Sequence, residues 1–252
     1  MNIRGVDISN FQRDSSIKNI IDDKYEFAIL RGGYTGYGVG RTMQKDSSFE
    51  KFYYEAKELG FPVGAYWYSC ADSAEEGERE AKFFYENCLK GKQFEYPIYI
   101  DVEEPRWQLN KKEDVTKAII AFCKYLEERG YFVGVYASLS WFNNYIDTSK
   151  LNNYTKWVAY WSNEKPKFQW TGFHMWQYSE KEEIQGVKFD GNVSFVDFPP
   201  VMKHNGLNGF TEENKDLETF KVENKKLKAD LENITSQYDA LKNTLKNIVS
   251  KF

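Results

Sequence analysis

The chain has 252 residues, of which 41% are hydrophobic and 29% charged, with a net charge of −4 at neutral pH. These values suit a soluble, globular protein with one large core or a domain plus an appendage. The first 210 residues hold no dense Lys/Arg block and the chain no apolar run of bilayer length, which argues against a nucleic-acid partner and against membrane insertion. Cys70, Cys88 and Cys123 are widely spaced and odd in number, as expected of buried free thiols made in a reducing compartment. With only His174 and His204 as imidazoles, neither near a metal-like cluster, no metal or other cofactor is expected.

Strands are expected at Ile3–Ser9, Glu26–Tyr34, Pro62–Cys70, Pro97–Glu103 and Phe132–Ser138. They alternate with helices expected at Ile17–Ile21, Ser47–Leu59, Ala74–Leu89, Lys112–Arg129 and Leu139–Tyr145. Gly60, Gly91 and Gly130 follow three of these helices as stop signals. Such alternation builds parallel βαβ units. After Tyr145 three strand-like runs follow with little room for helices: Lys156–Ser162, Phe173–Ser179 and Val193–Phe198. Five βα units and three bare strands close an eight-stranded barrel. The alternative, an open doubly wound sheet, usually carries a Gly-rich phosphate loop after its first strand. Here that position reads Asp7-Ile8-Ser9-Asn10-Phe11 and disfavours nucleotide binding.

Pro199-Pro200 ends the barrel, giving a barrel domain over 1–202, and residues 203–212 read as a polar linker. Leu217, Phe220, Asn224, Leu227, Leu231, Ile234, Tyr238, Leu241, Leu245, Ile248 and Phe252 then repeat at alternating three- and four-residue spacing. This seam predicts a coiled-coil helix over 213–252, and with it a homo-oligomer, in preference to a helix folded back on the barrel.

The chemistry centres on Tyr96-Pro97-Ile98-Tyr99-Ile100-Asp101-Val102-Glu103. Period-two geometry puts Asp101 and Glu103 on one face of a strand end, and the C-terminal strand ends of a barrel hold its active site. Neighbouring carboxylates repel, so one pKa rises and supplies a general acid while the other meets developing positive charge. Glycoside hydrolysis asks for this pair. Gly5-Val6-Asp7-Ile8-Ser9 delivers another carboxylate to the same end, and Tyr and Trp crowd the ends of later strands. Aromatic faces stack on sugar rings, although alternation sends only about half of them inward.

In order along the chain, Gly5-Val6-Asp7-Ile8-Ser9, Ala28-Ile29-Leu30-Arg31, Pro62-Val63-Gly64-Ala65-Tyr66-Trp67, Asp101-Val102-Glu103, Gly134-Val135-Tyr136, Trp157-Val158-Ala159 and Trp176-Gln177-Tyr178 make the stretch from Arg4 to about Phe198 resemble the family 25 glycoside hydrolases, lysozymes of the phage-endolysin and fungal type. The resemblance implies an α/β fold, an irregular (β/α)5(β)3 TIM-like barrel. It also implies cleavage of the β-1,4 bond between N-acetylmuramic acid and N-acetylglucosamine in bacterial peptidoglycan. Glu103 is then the general acid and Asp101 its partner, acting as nucleophile or, as favoured here, orienting the substrate acetamide for attack. Asp7 matches the family's first-strand aspartate. The fourth acid falls on Asp190, in Asp190-Gly191-Asn192, while a second alignment puts Ser194 there. Arg31, Tyr66, Tyr136, Trp161 and Trp176 are the expected substrate contacts. A non-catalytic glycan-binding or structural module of a phage particle is the competing reading. The chain shows no charged-then-apolar leader, so leaderless release to the cell wall, holin-type or otherwise, or incorporation into a phage particle, is expected.

Overall fold

The computed structural model describes residues 2–36, 41–106, 110–211, 227–228, 230–238 and 242. The chain divides into two compact units, Met1–Phe210 and Thr211–Phe252. Among the described residues of the first, the strands are β1 (Ile3–Ile8), β2 (Phe27–Thr35), β3 (Met43–Lys45), β4 (Val63–Tyr68), β5 (Ile98–Asp101), β6 (Val133–Ser138), β7 (Thr155–Ala159), β8 (Phe173–Ile184) and β9 (Val187–Ser194). The α-helices there are α1 (Ile17–Asp22), α2 (Phe49–Glu58), α3 (Ala74–Phe84), α4 (Lys112–Glu127), α5 (Leu139–Asn144) and α6 (Phe198–His204). The sheet runs β1-β9-β8-β7-β6-β5-β4-β2, and β1 also pairs with β2, so eight strands close into a barrel with β3 on the outside of β2. Neighbours from β1 round to β8 are parallel, and β9 is antiparallel to both β8 and β1.

Side-chain alternation sets the two faces of this cylinder. On β5, Ile98 and Ile100 join the core between strands and helices, whereas Tyr99 belongs to the barrel interior and Asp101 continues its face. On β4, Val63, Ala65 and Trp67 face the helices, and Tyr66 packs with the interior. Trp67 is thus core, packed against Phe83 and Phe84. Large and small residues interlock inside. A Cβ on Gly5 would sit 2.4 Å from the Phe27 ring, and one on Gly134 2.5 Å from the Tyr99 ring. Helix starts follow the sequence signals: Ser16, Ser73 and Ser138 accept hydrogen bonds from the first turns of α1, α3 and α5.

Two sequence expectations are corrected. The last strand is not Val193–Phe198 but β9, which returns from β8 through a two-residue turn at Gln185-Gly186 with φ of 50° and 81°. Its inward positions are polar, Asp190 and Asn192, so it lacks the apolar run that marks a strand. Residues 198–204 instead form α6, with proline in its first turn. The segment expected to be a linker belongs in part to the barrel. Phe198, Met202 and Phe210 pack with Phe27 and Tyr96 in the interior cluster. Asn208, fully buried, accepts from the Phe132 amide (2.7 Å) and donates to the Tyr96 carbonyl (2.9 Å).

In the second unit the described residues are helical between 227 and 238. Leu227, Leu231, Ile234 and Tyr238 are exposed there at 61–64%. The remaining seam positions, Leu217, Phe220, Asn224, Leu241, Leu245, Ile248 and Phe252, lie outside the described residues. Among the described residues no helix is long and apolar enough to cross a membrane.

Candidate active site

The C-terminal ends of the parallel strands carry the acids. Asp7 is the penultimate residue of β1 and Asp101 the last of β5, while Glu103 lies two residues further on. Asp190 reaches the same place from the opposite direction, because antiparallel β9 pairs it directly with Asp7. Ser194 pairs with Ile3, toward the other end of the barrel, and its hydroxyl donates to the Val196 carbonyl at 2.7 Å. Of the two alignments for the fourth acid, only the one on Asp190 brings a side chain to the cluster.

A polar network braces Asp7. Its Oδ2 accepts from Gln177 Nε2 (2.9 Å) and from Asn192 Nδ2 (2.8 Å). Gln177 Oε1 in turn accepts from the Tyr136 hydroxyl (3.0 Å) and the Trp161 indole N–H (3.1 Å). Asn192 Oδ1 accepts from the Trp157 indole N–H at 2.7 Å. On the other wall Arg31 donates to buried Asp46 (2.7 Å), which also accepts from the amides of Asn10 and Ser48. The guanidinium packs 5.0 Å from the ring of Phe11, which is 76% exposed on the turn after β1.

These carboxyls cannot all be charged. Burial, then Glu103 and Asp7, push the Asp101 pKa well up, with Arg31 pulling the other way. Burial and Asp190 push Asp7 well up against its amide donors. Asp190 rises to about 6, through burial and the charge of Glu180, partly offset by a hydrogen bond with Asp7. Glu103 is open to solvent at the mouth yet hemmed in enough that lost hydration, with Asp190 behind it, carries it to about 7. Asp101 Oδ1 is buried and has no hydrogen-bond partner within the protein. The arrangement therefore presents an acid that holds its proton near neutrality beside a buried carboxyl oxygen that has no hydrogen-bond partner in the protein.

Of the expected contacts, Arg31, Tyr66 and Tyr136 face this cluster, with the acids acting on both tyrosines. Trp161 stands 58% exposed at its edge. Trp176 is a correction. It alternates with the inward-facing Met175 and Gln177, and it donates to the Tyr160 carbonyl (2.8 Å) beside Tyr178 on the outer face. The sequence reading missed Gln177 and Asn192, although both sat inside quoted motifs at positions of inward parity. It also missed Glu104, buried against Arg106 at 2.8 Å, and Glu80, which receives the Ser69 hydroxyl and the Cys70 amide. Cys70, Cys88 and Cys123 are buried and unlinked. Among the described residues no group of His, Cys, Asp or Glu is arranged to hold a metal ion.

A family model described as Glycosyl hydrolases family 25 matches residues 6–187. An autolytic lysozyme of Clostridium acetobutylicum is 27% identical over 187 residues, 73% of this chain and 53% of the relative. A family 25 glycosyl hydrolase structure from Bacillus anthracis aligns with a TM-score of 0.65 and 26% identity over 81% of this chain and 93% of the other. The CTP1L endolysin shares the fold with a TM-score of 0.68 and 24% identity, over 80% and 69% of the two chains.

A stability test follows from the raised Asp101 pKa. Such a group stabilises the fold fully below its unfolded value of ~3.9, and that contribution is lost as pH rises. Asp101→Asn, which cannot ionise, should melt above the parent at pH 7 by a few degrees, each ~1 kcal/mol being worth about 2–4 °C in a domain of this size. The gain should vanish below pH ~4. Thermal melts by circular dichroism across that range read it directly.

Proposed function

Because this chain belongs to the family 25 glycosyl hydrolases, we propose that it is a peptidoglycan hydrolase, an N-acetylmuramidase that cuts the β-1,4 bond from N-acetylmuramic acid to N-acetylglucosamine in bacterial cell walls. The observation that carries this reading is the four-carboxyl cluster, with Asp7 and Asp101 buried and Glu103, protonated up to about pH 7, at its open edge. The names of the lysozyme and endolysin relatives support the substrate class.

Glu103 donates its proton to the leaving glycosidic oxygen, and the departing sugar leaves positive charge at the anomeric carbon of the muramic acid. The neighbouring acetamide carbonyl closes on that carbon and forms an oxazolinium ion. Asp101 Oδ1 accepts the acetamide N–H, which positions the carbonyl and stabilises the charge that grows on the ring. That same N–H is the donor Oδ1 lacks in the free protein, so substrate favours the ionised form of Asp101. Water, deprotonated by Glu103, then opens the oxazolinium and leaves a reducing end on muramic acid. Asp7 and Asp190, hydrogen-bonded to each other, hold negative field behind the pair. Arg31, Tyr66, Tyr136 and Trp161 line the sugar path.

The tail supports a second part of the reading, a homo-oligomer. Leu227, Leu231, Ile234 and Tyr238 recur at four, three and four residues along one helix and leave a large apolar stripe exposed. A coiled coil would cover that stripe and join barrels, raising avidity for a repetitive glycan without new contacts at any one site.

Glu103→Gln fills the same volume without a proton to give. Its lysis of purified walls should fall by about 10²–10⁴-fold with the melting temperature near that of the parent. Near-full activity would remove Glu103 from the role of acid. Digests by the parent should carry new reducing ends on muramic acid, and ends on glucosamine would contradict the bond assigned.

Static light scattering should report two or more copies of the full chain and a monomer for a chain ending at Phe210. That monomer should keep its rate on short soluble glycans and lose some on intact walls. A monomeric full chain at micromolar concentration would sink the oligomer.

A further inference from the structure

Two clefts meet at Trp161. One, of about 340 Å3, runs from Glu103 and Tyr136 past Trp141 and Tyr160. The other, of about 540 Å3, lies between Asn163 and the stretch from Tyr178 to Glu182. The first is walled by aromatics, the surface that sugar rings stack on. The second is polar. Its floor is the outer half of the β8–β9 hairpin, which overshoots the barrel: β8 has 12 residues where β5 has four and β7 five. Register shifts between Gln177 and Ser179 and between Ser179 and Glu182 bend this arm.

β9 delivers Asp190 to Asp7 at the base of that arm, and Ile184 and Phe189 anchor the arm in the core. Glu182 on this arm accepts the Tyr25 hydroxyl at 2.8 Å, but the charges of Glu180 and Lys181 do little for stability. Lys181 and Glu180 lie 3.2 Å apart with side chains 76% and 40% exposed, a surface pair of small worth. The second cleft nevertheless adjoins the chemistry. Trp161 is tied to Gln177 in the Asp7 network, and the charge of Glu180 reaches Asp190.

A peptidoglycan strand is a branched polymer. Its sugars present flat apolar faces, and each muramic acid carries a short peptide with free carboxylates, amides and an amine. We propose that the aromatic cleft holds the glycan while the cleft beyond Trp161 receives the stem peptide that branches from it, with Lys181 meeting a stem carboxylate and Glu180 an amine. The proposal rests on the muramidase reading. A volume of about 540 Å3 lies within the ~300–1,000 Å3 of pockets that take small ligands, room for a few peptide residues. The stem then acts as a specificity handle, and its binding holds the branched sugar in register over Glu103.

The test uses soluble glycan fragments of one length in two forms, with stems intact and with stems removed by an amidase. The full chain should show a kcat/KM roughly 3- to 10-fold higher on the stem-bearing form, the size expected of a few polar contacts at an exposed site. Lys181→Glu reverses the charge offered to the stem, and Asn163→Trp fills the cleft. Each should bring the ratio toward one while the rate on stripped glycan stays within about twofold of the parent, which also shows that the variants fold. An unchanged ratio in both variants, or a parent ratio of one, overturns the stem site. An equal loss on both substrates also overturns it, because the cleft would then hold glycan. A parent that cuts neither substrate contradicts the muramidase reading itself and takes the stem site with it.

Discussion

Four carboxyl groups crowd one barrel end, and the cost of charging them there organises the rest of the site. Asp7 and Asp101 are 8% and 4% exposed. In such a place each added negative charge meets both lost hydration and the charges already present. The cluster resolves this by holding protons. Asp7 and Asp190 hydrogen-bond to each other, burial and the neighbouring acids push Asp101 well up against the pull of Arg31, and Glu103, at the rim, is left with a proton it can give away.

That constraint explains the neighbours. An isolated buried carboxylate would be ruinous, so Gln177 and Asn192 bring two N–H donors to Asp7, and their own oxygens are satisfied by Tyr136, Trp161 and Trp157. Tyr136 comes from β6, Trp157 from β7 and Trp161 from the loop that follows β7. The reversal of β9 matters for the same reason. A parallel eighth strand would present its C-terminal end at the mouth, whereas the antiparallel one places Asp190 directly across from Asp7. The interior below is apolar and plugged by α6, which leaves solvent access to the acids through the mouth.

Most of this was legible in sequence where local pattern and tertiary need agree. The alternation of apolar strands with helices located β1, β2, β4, β5 and β6, bare apolar runs located β7 and β8, and Asp-x-Glu at the end of Pro97–Glu103 marked the acid pair; the three-residue β3, Met43–Lys45, is too short to leave a pattern. The exceptions have physical causes. β9 was displaced because its inward residues are polar for the sake of the site, and its Gln185-Gly186 turn lacks the usual Asn or Asp before glycine. Segment 203–210 read as a linker because its burial depends on one asparagine, Asn208, bonding the ends of distant strands. Trp176 resembled a platform, and only its parity relative to Gln177 gives away that it faces outward. Gln177 and Asn192 were hidden because a neutral amide has no sequence signature until the carboxylate it serves is placed beside it.

The claim on which the account turns is that Glu103 keeps its proton near neutral pH because of where it sits. Carbon-13 NMR of glutamate labelled at the side-chain carboxyl, assigned by comparison with Glu103→Gln, measures this in the protein without substrate. The account predicts a Glu103 midpoint close to 7, and a lower midpoint in Asp190→Asn, where the charge behind it is gone. A midpoint near the ordinary glutamate value of ~4.3, or one indifferent to Asp190, would contradict it.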